Sequence, residues 1–146
     1  MIKTFYRLLI YFFSRFIKTD DVSDKFPVSV KAIIIDDNRV LLLKNERNEW
    51  DFAGGKISFN EDFEDCLRRE VKEEINVSVN NLKILKPLNL KFNDISVIVL
   101  LYSAAISCES PIIISHEHSE YNFFSKAEIK NLNICQYYKN LIEHLI

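Results

Sequence analysis

Glycine is almost absent from this chain. Of its 146 residues only two are glycine, and they stand side by side as Gly54-Gly55. Every other turn must reach its backbone geometry without the residue best suited to positive φ. Cysteine is sparse too: Cys66, Cys108 and Cys135 lie far apart and form no CxxC pair. That spacing gives a zinc site no support, and an odd count argues against a disulfide framework. The thiols read as buried, reduced cysteines of a cytoplasmic protein. Neither sign of charge dominates, with 19 Lys and Arg against 21 Asp and Glu, a net charge of -2. Binding of nucleic acid or of an anionic membrane through bulk charge therefore has no basis.

Long hydrophobic runs are missing as well. The N-terminal MIKTFYRLLIYFFSRFIKTDD is rich in aromatic and aliphatic residues, but Lys3, Arg7 and Arg15 interrupt it. Its longest uncharged stretch, Leu8 to Ser14, is far short of the ~20 residues that span a bilayer. No small-residue cleavage site follows it. Residues 1–24 read as a short apolar helix and a polar linker. Apolar side chains lie nearly all round that helix, so it is expected to be covered. The cover is the domain itself, a partner subunit in a homodimer, or a membrane interface touched through residues 1–18.

Residues 25–146 form the domain. Apolar residues make up 48% of the chain and charged ones 27%, an ordinary globular balance. From Val28 the sequence alternates and then turns fully apolar; Asp36-Asp37-Asn38 supplies a turn, and Val40 to Leu43 follows. This predicts a β-hairpin. Asp62 to Ile75 lacks Gly and Pro and predicts a helix closed by Asn76 in the left-handed conformation. Leu82–Leu90, Ile95–Ser107 and Tyr121–Phe124 predict strands; Lys126–Leu132 and Gln136–Ile146 predict helices. The order points to a mixed sheet with helices on its faces, an α/β fold.

The helix carries an unusual face. At ~100° per residue, with Phe63 set at zero, Leu67 falls near 40°, Val71 near 80° and Cys66 near 300°. Glu70 falls near 340°, Glu74 near 20° and Glu73 near 280°, on or beside this apolar face. Three like charges there repel and lose hydration unless a cation neutralises them. Carboxylate oxygens without His or Cys favour a hard ion, Mg²⁺ or Mn²⁺. Arg69 can hold one acid in its ionised orientation. Gly54-Gly55 stands one short loop before the helix, where a backbone that approaches an ion or a phosphate tolerates no Cβ.

The series Gly55, Glu61, Arg69-Glu70, Val71, Glu73-Glu74, Asn76, Val77 resembles the Nudix box, G-x5-E-x7-R-E-U-x-E-E-x-G-U, with U a bulky aliphatic. Asn76 replaces the family's last Gly, and Ala53 replaces the Pro that usually precedes the glycines. The resemblance extends over the domain. It implies a Nudix-like α/β/α sandwich with a mixed β-sheet and a loop–helix–loop catalytic motif. It also implies hydrolysis of a phosphoanhydride in a nucleoside diphosphate linked to another moiety, of the nucleoside triphosphate or ADP-ribose and sugar-nucleotide type, with Mg²⁺ or Mn²⁺. Matched position by position, Glu70 and Glu74 are metal ligands. Glu73 is a further ligand or orients water, and Gly55 lets the backbone carbonyl reach the metal. Arg69 orients the carboxylates through Glu61. Glu117, in SHEHSEYNFF, is the candidate late ligand or base, with Glu120 as the other choice.

Other residues stay open. His116 and His118 flank Glu117 and read as zinc ligands, substrate contacts or plain loop residues. Arg47 and Lys91 are candidate phosphate contacts. Trp50, Phe52, Phe59, Phe92, Phe123 and Phe124 read as base-stacking or core residues, so the substrate-binding set is unassigned. Three competing readings are a nucleotide sensor without turnover, an isomerase on the same fold, and an RNA 5′-end pyrophosphatase. The full set of Glu opposes the sensor, no marked catalytic Cys supports the isomerase, and no basic patch with interleaved aromatics supports RNA. From this reading, Gly55→Val abolishes turnover and leaves the fold largely intact; circular dichroism and a phosphate-release assay on one preparation check both halves.

Overall fold

The computed structural model describes residues 26–92, 95–107 and 111–146. The expected N-terminal helix and linker, together with Cys108 and the side chain of Phe92, lie outside the described residues. Strand β1 (Val28–Asp36) and strand β2 (Arg39–Asn45) form the expected hairpin. Its turn uses Asp37 at φ 44° and Asn38 at φ 59°, two positive values that match the right-handed twist of the strands.

The hairpin is zipped only at its tip, through Ile35↔Val40 and Asp36↔Arg39. Beyond it β1 runs parallel to strand β5 (Ile95–Ile106), from Val28↔Ile98 to Ile34↔Ala104. β2 instead pairs antiparallel with strand β3 (Trp50–Asp51) and, on its other edge, with strand β6 (His118–Phe124). The opening left between β1 and β2 is filled by the glycine stretch. Ala53 bridges to Ala32 and Lys56 to Ser29, both antiparallel. Val30 N–H donates to Gly55 O at 2.9 Å and Ala32 N–H to Ala53 O at 2.8 Å.

Strand β4 (Val79–Phe92) closes the far edge against β5, and Pro87 sits in it. An edge strand tolerates proline because its outer N–H has no partner to lose. Among the strand pairs of the described residues β1 and β5 run parallel and the others antiparallel, so the sheet is mixed.

Two cores lie on its faces. Val30, Ala32 and Ile34 of β1 pack with Leu67, Val71 and Ile75 of helix α1 (Phe63–Ile75). Ile33, one residue out of phase, packs with Tyr138 and Ile142 of helix α3 (Gln136–Leu145). Each such aliphatic side chain stabilises the fold by about 1.5–3 kcal/mol when fully buried. The short helix α2 (Lys126–Ile129) connects β6 to α3. The result is the α/β/α sandwich that the sequence predicts.

Two local expectations differ, and one short strand is added. β3 is two residues long, too short for periodicity to reveal. Phe63, the zero direction of the wheel and part of its apolar face, is 41% exposed; it opens the helix, where the core is not yet beneath it. Glu73 is exposed, unlike Glu74, so the acids do not share one buried face.

The missing glycines are replaced by asparagine. Positive φ outside glycine is found at Asp37, Asn38, Asn48, Asn60, Asn76 and Asn81 among the described residues. Asn76 closes α1 at φ 58° and ψ 22°, its N–H donating to Lys72 O. Left-handed backbone costs other L-residues roughly 1–2 kcal/mol, and Asn less. Asn76→Ala is therefore expected to lower unfolding stability by about 1 kcal/mol. Asn76→Gly, which suits the same φ, should leave it near the original value. Urea denaturation of the three proteins decides this.

Candidate active site

The box carboxylates meet at a guanidinium. Arg69 grips Glu61 with a two-pronged fork, Nε to Oε1 at 2.7 Å and Nη2 to Oε2 at 2.9 Å. Its Nη1 donates to Glu70 Oε1 at 2.7 Å and to Glu73 Oε2 at 3.0 Å. Glu61 sits in the loop before α1 and also accepts the Ser58 N–H at 3.0 Å. The Arg69 hydrogen bonds, followed by that backbone N–H, hold the Glu61 carboxyl down at about 2. Glu70 moves the other way. Burial pushes its carboxyl above the ordinary range; Arg69 opposes this, and the charges of Glu74 and Glu73 add to it.

Glu74 is the buried charged residue among those described, 8% exposed. Its Oε2 accepts the Gly54 N–H at 2.7 Å. Its Oε1 lies 3.0 Å from His118 Nε2. The chain brings His118 there through two ties to the end of α1: Ile113 N–H to Ile75 O at 3.1 Å and Ser115 N–H to Glu74 O at 2.8 Å. The other ring nitrogen, His118 Nδ1, is buried without a partner.

The two glycines face opposite ways. A Cβ on Gly54, at φ 129°, would stand 2.2 Å from Val30 O. A Cβ on Gly55 would stand 2.4 Å from Glu70 Oε2. Gly55 therefore clears a place for a carboxylate, while its own carbonyl is taken by Val30 N–H.

This arrangement tests the fit to a hard divalent cation. The donors are carboxylate oxygens, Glu70 is held above its ordinary range by burial first and then by the charges of Glu74 and Glu73, and Gly55 leaves a cradle that a methyl group would fill. These residues fit such an ion. Among the described residues, however, no three His, Cys, Asp or Glu side chains already surround one point. Glu61, Glu70 and Glu73 turn to Arg69 instead.

The remaining candidates separate clearly. Glu117 lines a hollow of about 430 Å³ with Arg47 and His118. Glu120 is engaged by Lys44 at 2.8 Å on an exposed face. Trp50 packs edge-on against Phe124, centroids 4.7 Å apart, and Phe52 against Tyr138, so these aromatics belong to the core. Phe59 stands 96% exposed. A larger cleft of about 910 Å³ is lined by Lys31, Arg47, Lys56, Lys91, Val97 and Tyr138, among others. Arg47 is paired there with Glu49 at 2.9 Å. The Cys66 thiol is buried and pushed up to about 12, by burial first and then by Glu61.

His118, weighed with His116 as a zinc ligand, a substrate contact or a plain loop residue, pairs instead with Glu74, a partner its sequence did not indicate. Lys31 was missed entirely; a lone charge among the apolar neighbours of VSVKAIII was the available sign.

A family model described as NUDIX domain matches residues 25–145. Among solved structures, a MutT NUDIX hydrolase from Burkholderia pseudomallei aligns with a TM-score of 0.75 at 20% identity, covering 84% of this chain and 100% of that one. A MutT protein from Methanosarcina mazei Go1 aligns at 0.68 and 24% identity, over 84% and 95% of the two chains. A NUDIX hydrolase from Nitrosomonas europaea aligns at 0.73 and 18% identity, over 82% and 87%. At such identities the likeness to these structures is one of fold.

The Glu61–Arg69 clasp makes a pH prediction. A carboxyl lowered from 4.5 to about 2 on folding contributes stability above pH 4.5 and loses it as pH falls towards 2. The melting temperatures of the wild type and Glu61→Gln should differ by a constant amount above pH 4.5 and converge below it. A gap that stays constant through that window would show that the charge of Glu61 contributes nothing.

Proposed function

This chain belongs to the Nudix family, and from that premise we propose that it hydrolyses the phosphoanhydride of a nucleoside diphosphate linked to another moiety, with Mg²⁺ or Mn²⁺. The observation that carries the reading is the Gly55 cradle against Glu70, beside a Glu74 aimed by the Gly54 amide. Glu70, Glu73 and Glu74 would hold the ion. Bound there, it would neutralise phosphate charge and polarise phosphorus towards water.

The protein's own groups supply the rest. Arg69 keeps Glu61 ionised and sets the directions of Glu70 and Glu73. The charges of Glu73 and Glu74 beside a half-buried Glu70 make a cation welcome. Glu117 lies on the loop that α1 ties down, where it would act as a late ligand or as the base that takes a proton from water. The cleft of about 910 Å³ falls in the range of small-ligand sites. Its lining by Arg47, Lys56 and Lys91 suits the phosphates.

A buried thiol held near 12 is a poor nucleophile, so Cys66 gives the isomerase reading no support. The unpaired Cys66 and Cys135 are in keeping with a cytoplasmic setting.

The test is turnover against canonical and oxidised nucleoside triphosphates, ADP-ribose, sugar nucleotides, dinucleoside polyphosphates and capped RNA, with each metal. Glu74→Gln should reduce any hit by more than the ~10–100-fold that even outer-shell changes cost around a metal. Nucleotide binding by calorimetry with no turnover of any member would replace this reading with the sensor.

A further inference from the structure

Lys31 is a charged residue on the α3 face of β1, two positions before buried Ile33. Its ammonium meets three acceptors: Asp51 Oδ2 at 2.9 Å, Gly54 O at 2.7 Å and Phe52 O at 3.1 Å. An ammonium has three N–H groups, so none is left for a ligand in the cleft. Burial alone would draw the ammonium down; the charges of Asp51, Glu74 and Glu70 outweigh it and keep it above its ordinary value. It is a cation at neutral pH.

The bonds form a pattern. Ala53 O and Gly55 O are taken by the β1 N–H groups of Ala32 and Val30. Phe52 O and Gly54 O, which alternate with them, are taken by Lys31. Four successive carbonyls are thus bound by β1, two by backbone and two by one side chain. The Gly54 N–H points to Glu74 Oε2 instead. Gly54 has no Cβ to limit its dihedrals. Its conformation is fixed by what holds its two peptide groups, Ala32 N–H and Glu74 on the Ala53–Gly54 amide and Lys31 on the Gly54 carbonyl.

We propose that Lys31 is a positioning residue for hydrolysis: by clamping the Phe52 and Gly54 carbonyls it holds the peptide groups on either side of the Ala53–Gly54 amide, whose N–H aims the Glu74 carboxylate. This rests on the hydrolase reading of the same site. Lys31 itself touches no substrate. Its loss should lower kcat rather than raise KM, because what it holds in place is the reacting geometry and not a binding contact.

The near-absence of glycine provides a direct readout. Cell-free synthesis with [15N]glycine gives the full chain two backbone amide cross-peaks, Gly54 and Gly55, both in the site. Carbonyl-labelled alanine identifies Gly54, the residue that follows Ala53. Lys31→Met should displace or broaden the Gly54 peak and lower kcat by roughly 10–100-fold, the cost of removing a supporting contact around such a site. KM should stay within about twofold.

Lys31→Met leaves Asp51 without its partner and is prone to unfold. Lys31→Met/Asp51→Leu removes both charges, so no uncompensated ion remains. The double variant is expected to give a folded spectrum with the same displaced Gly54 peak and the same loss in kcat. A folded double variant whose Gly54 peak stays at its wild-type position overturns the proposal. So does a displaced peak with wild-type kcat. The peak position judges the clamp even if the wild-type protein turns over no compound, an outcome that would count against the hydrolase reading alone.

Discussion

The site depends on a close approach. At Gly54-Gly55 the chain passes between β1 and α1 with no room for a methyl group on either side. A Cβ would come within 2.2 Å of Val30 O from Gly54 and within 2.4 Å of Glu70 Oε2 from Gly55. The first contact lets the loop join the sheet, and the second lets a helix carboxylate reach the loop. Sheet, loop and helix are thereby registered to one another within the length of two residues. A larger side chain at Gly54 would oppose a backbone carbonyl, which cannot move aside. At Gly55 it would oppose the end of a flexible side chain, so the harm there falls on function more than on folding.

Electrostatics then gives the carboxylates different characters around one cation. Glu61 receives both prongs of the Arg69 fork and a backbone N–H, and its carboxyl is held at about 2. Glu70 receives one bond from the same guanidinium, is half-buried, and faces Glu73 and Glu74, so its carboxyl moves up. Glu61 is a permanent anion that anchors the arginine. Glu70 is the acid with most to gain from a second cation. The difference is made by hydrogen-bond count and burial, since both are glutamates on the same partner.

What was legible in the sequence is what lies close along the chain. The helix and its Asn76 closure follow from composition and spacing, and the meeting of Arg69 with Glu61 is what the resemblance to the Nudix box implied. The hairpin follows from alternation and an Asp-Asn turn. The wheel misjudged Glu73 and Phe63, since an ideal helix carries no information about where its core ends. His118 was hidden for another reason. Its partner Glu74 is 44 residues away, and the tie of the 113–115 loop to the end of α1, with the pairing of His118 to Asn45 of β2, makes them neighbours. Lys31 was hidden because a charge among apolar residues reads as noise until three acceptors are seen around it. The substitution of Asn for Gly in left-handed turns was legible as composition alone, a chain short of one residue and rich in the other.

The bonds that hold the loop to its surroundings also differ in reach along the chain. Lys31 to Gly54 spans 23 residues and Gly54 to Glu74 spans 20, whereas the first β1–β5 pair, Val28↔Ile98, spans 98 − 28 = 70. Closing a loop of 70 residues rather than 20 costs only about 1 kcal/mol more in chain entropy. It nevertheless has to wait for β5 to be synthesised. The stretch from β1 to the end of α1 carries both glycines, Lys31 and the whole carboxylate set, and it leaves the ribosome before any of β5 does. On a growing chain the chemical centre is therefore complete in sequence, apart from the loop bearing Glu117 and His118, before the sheet that supports it can close.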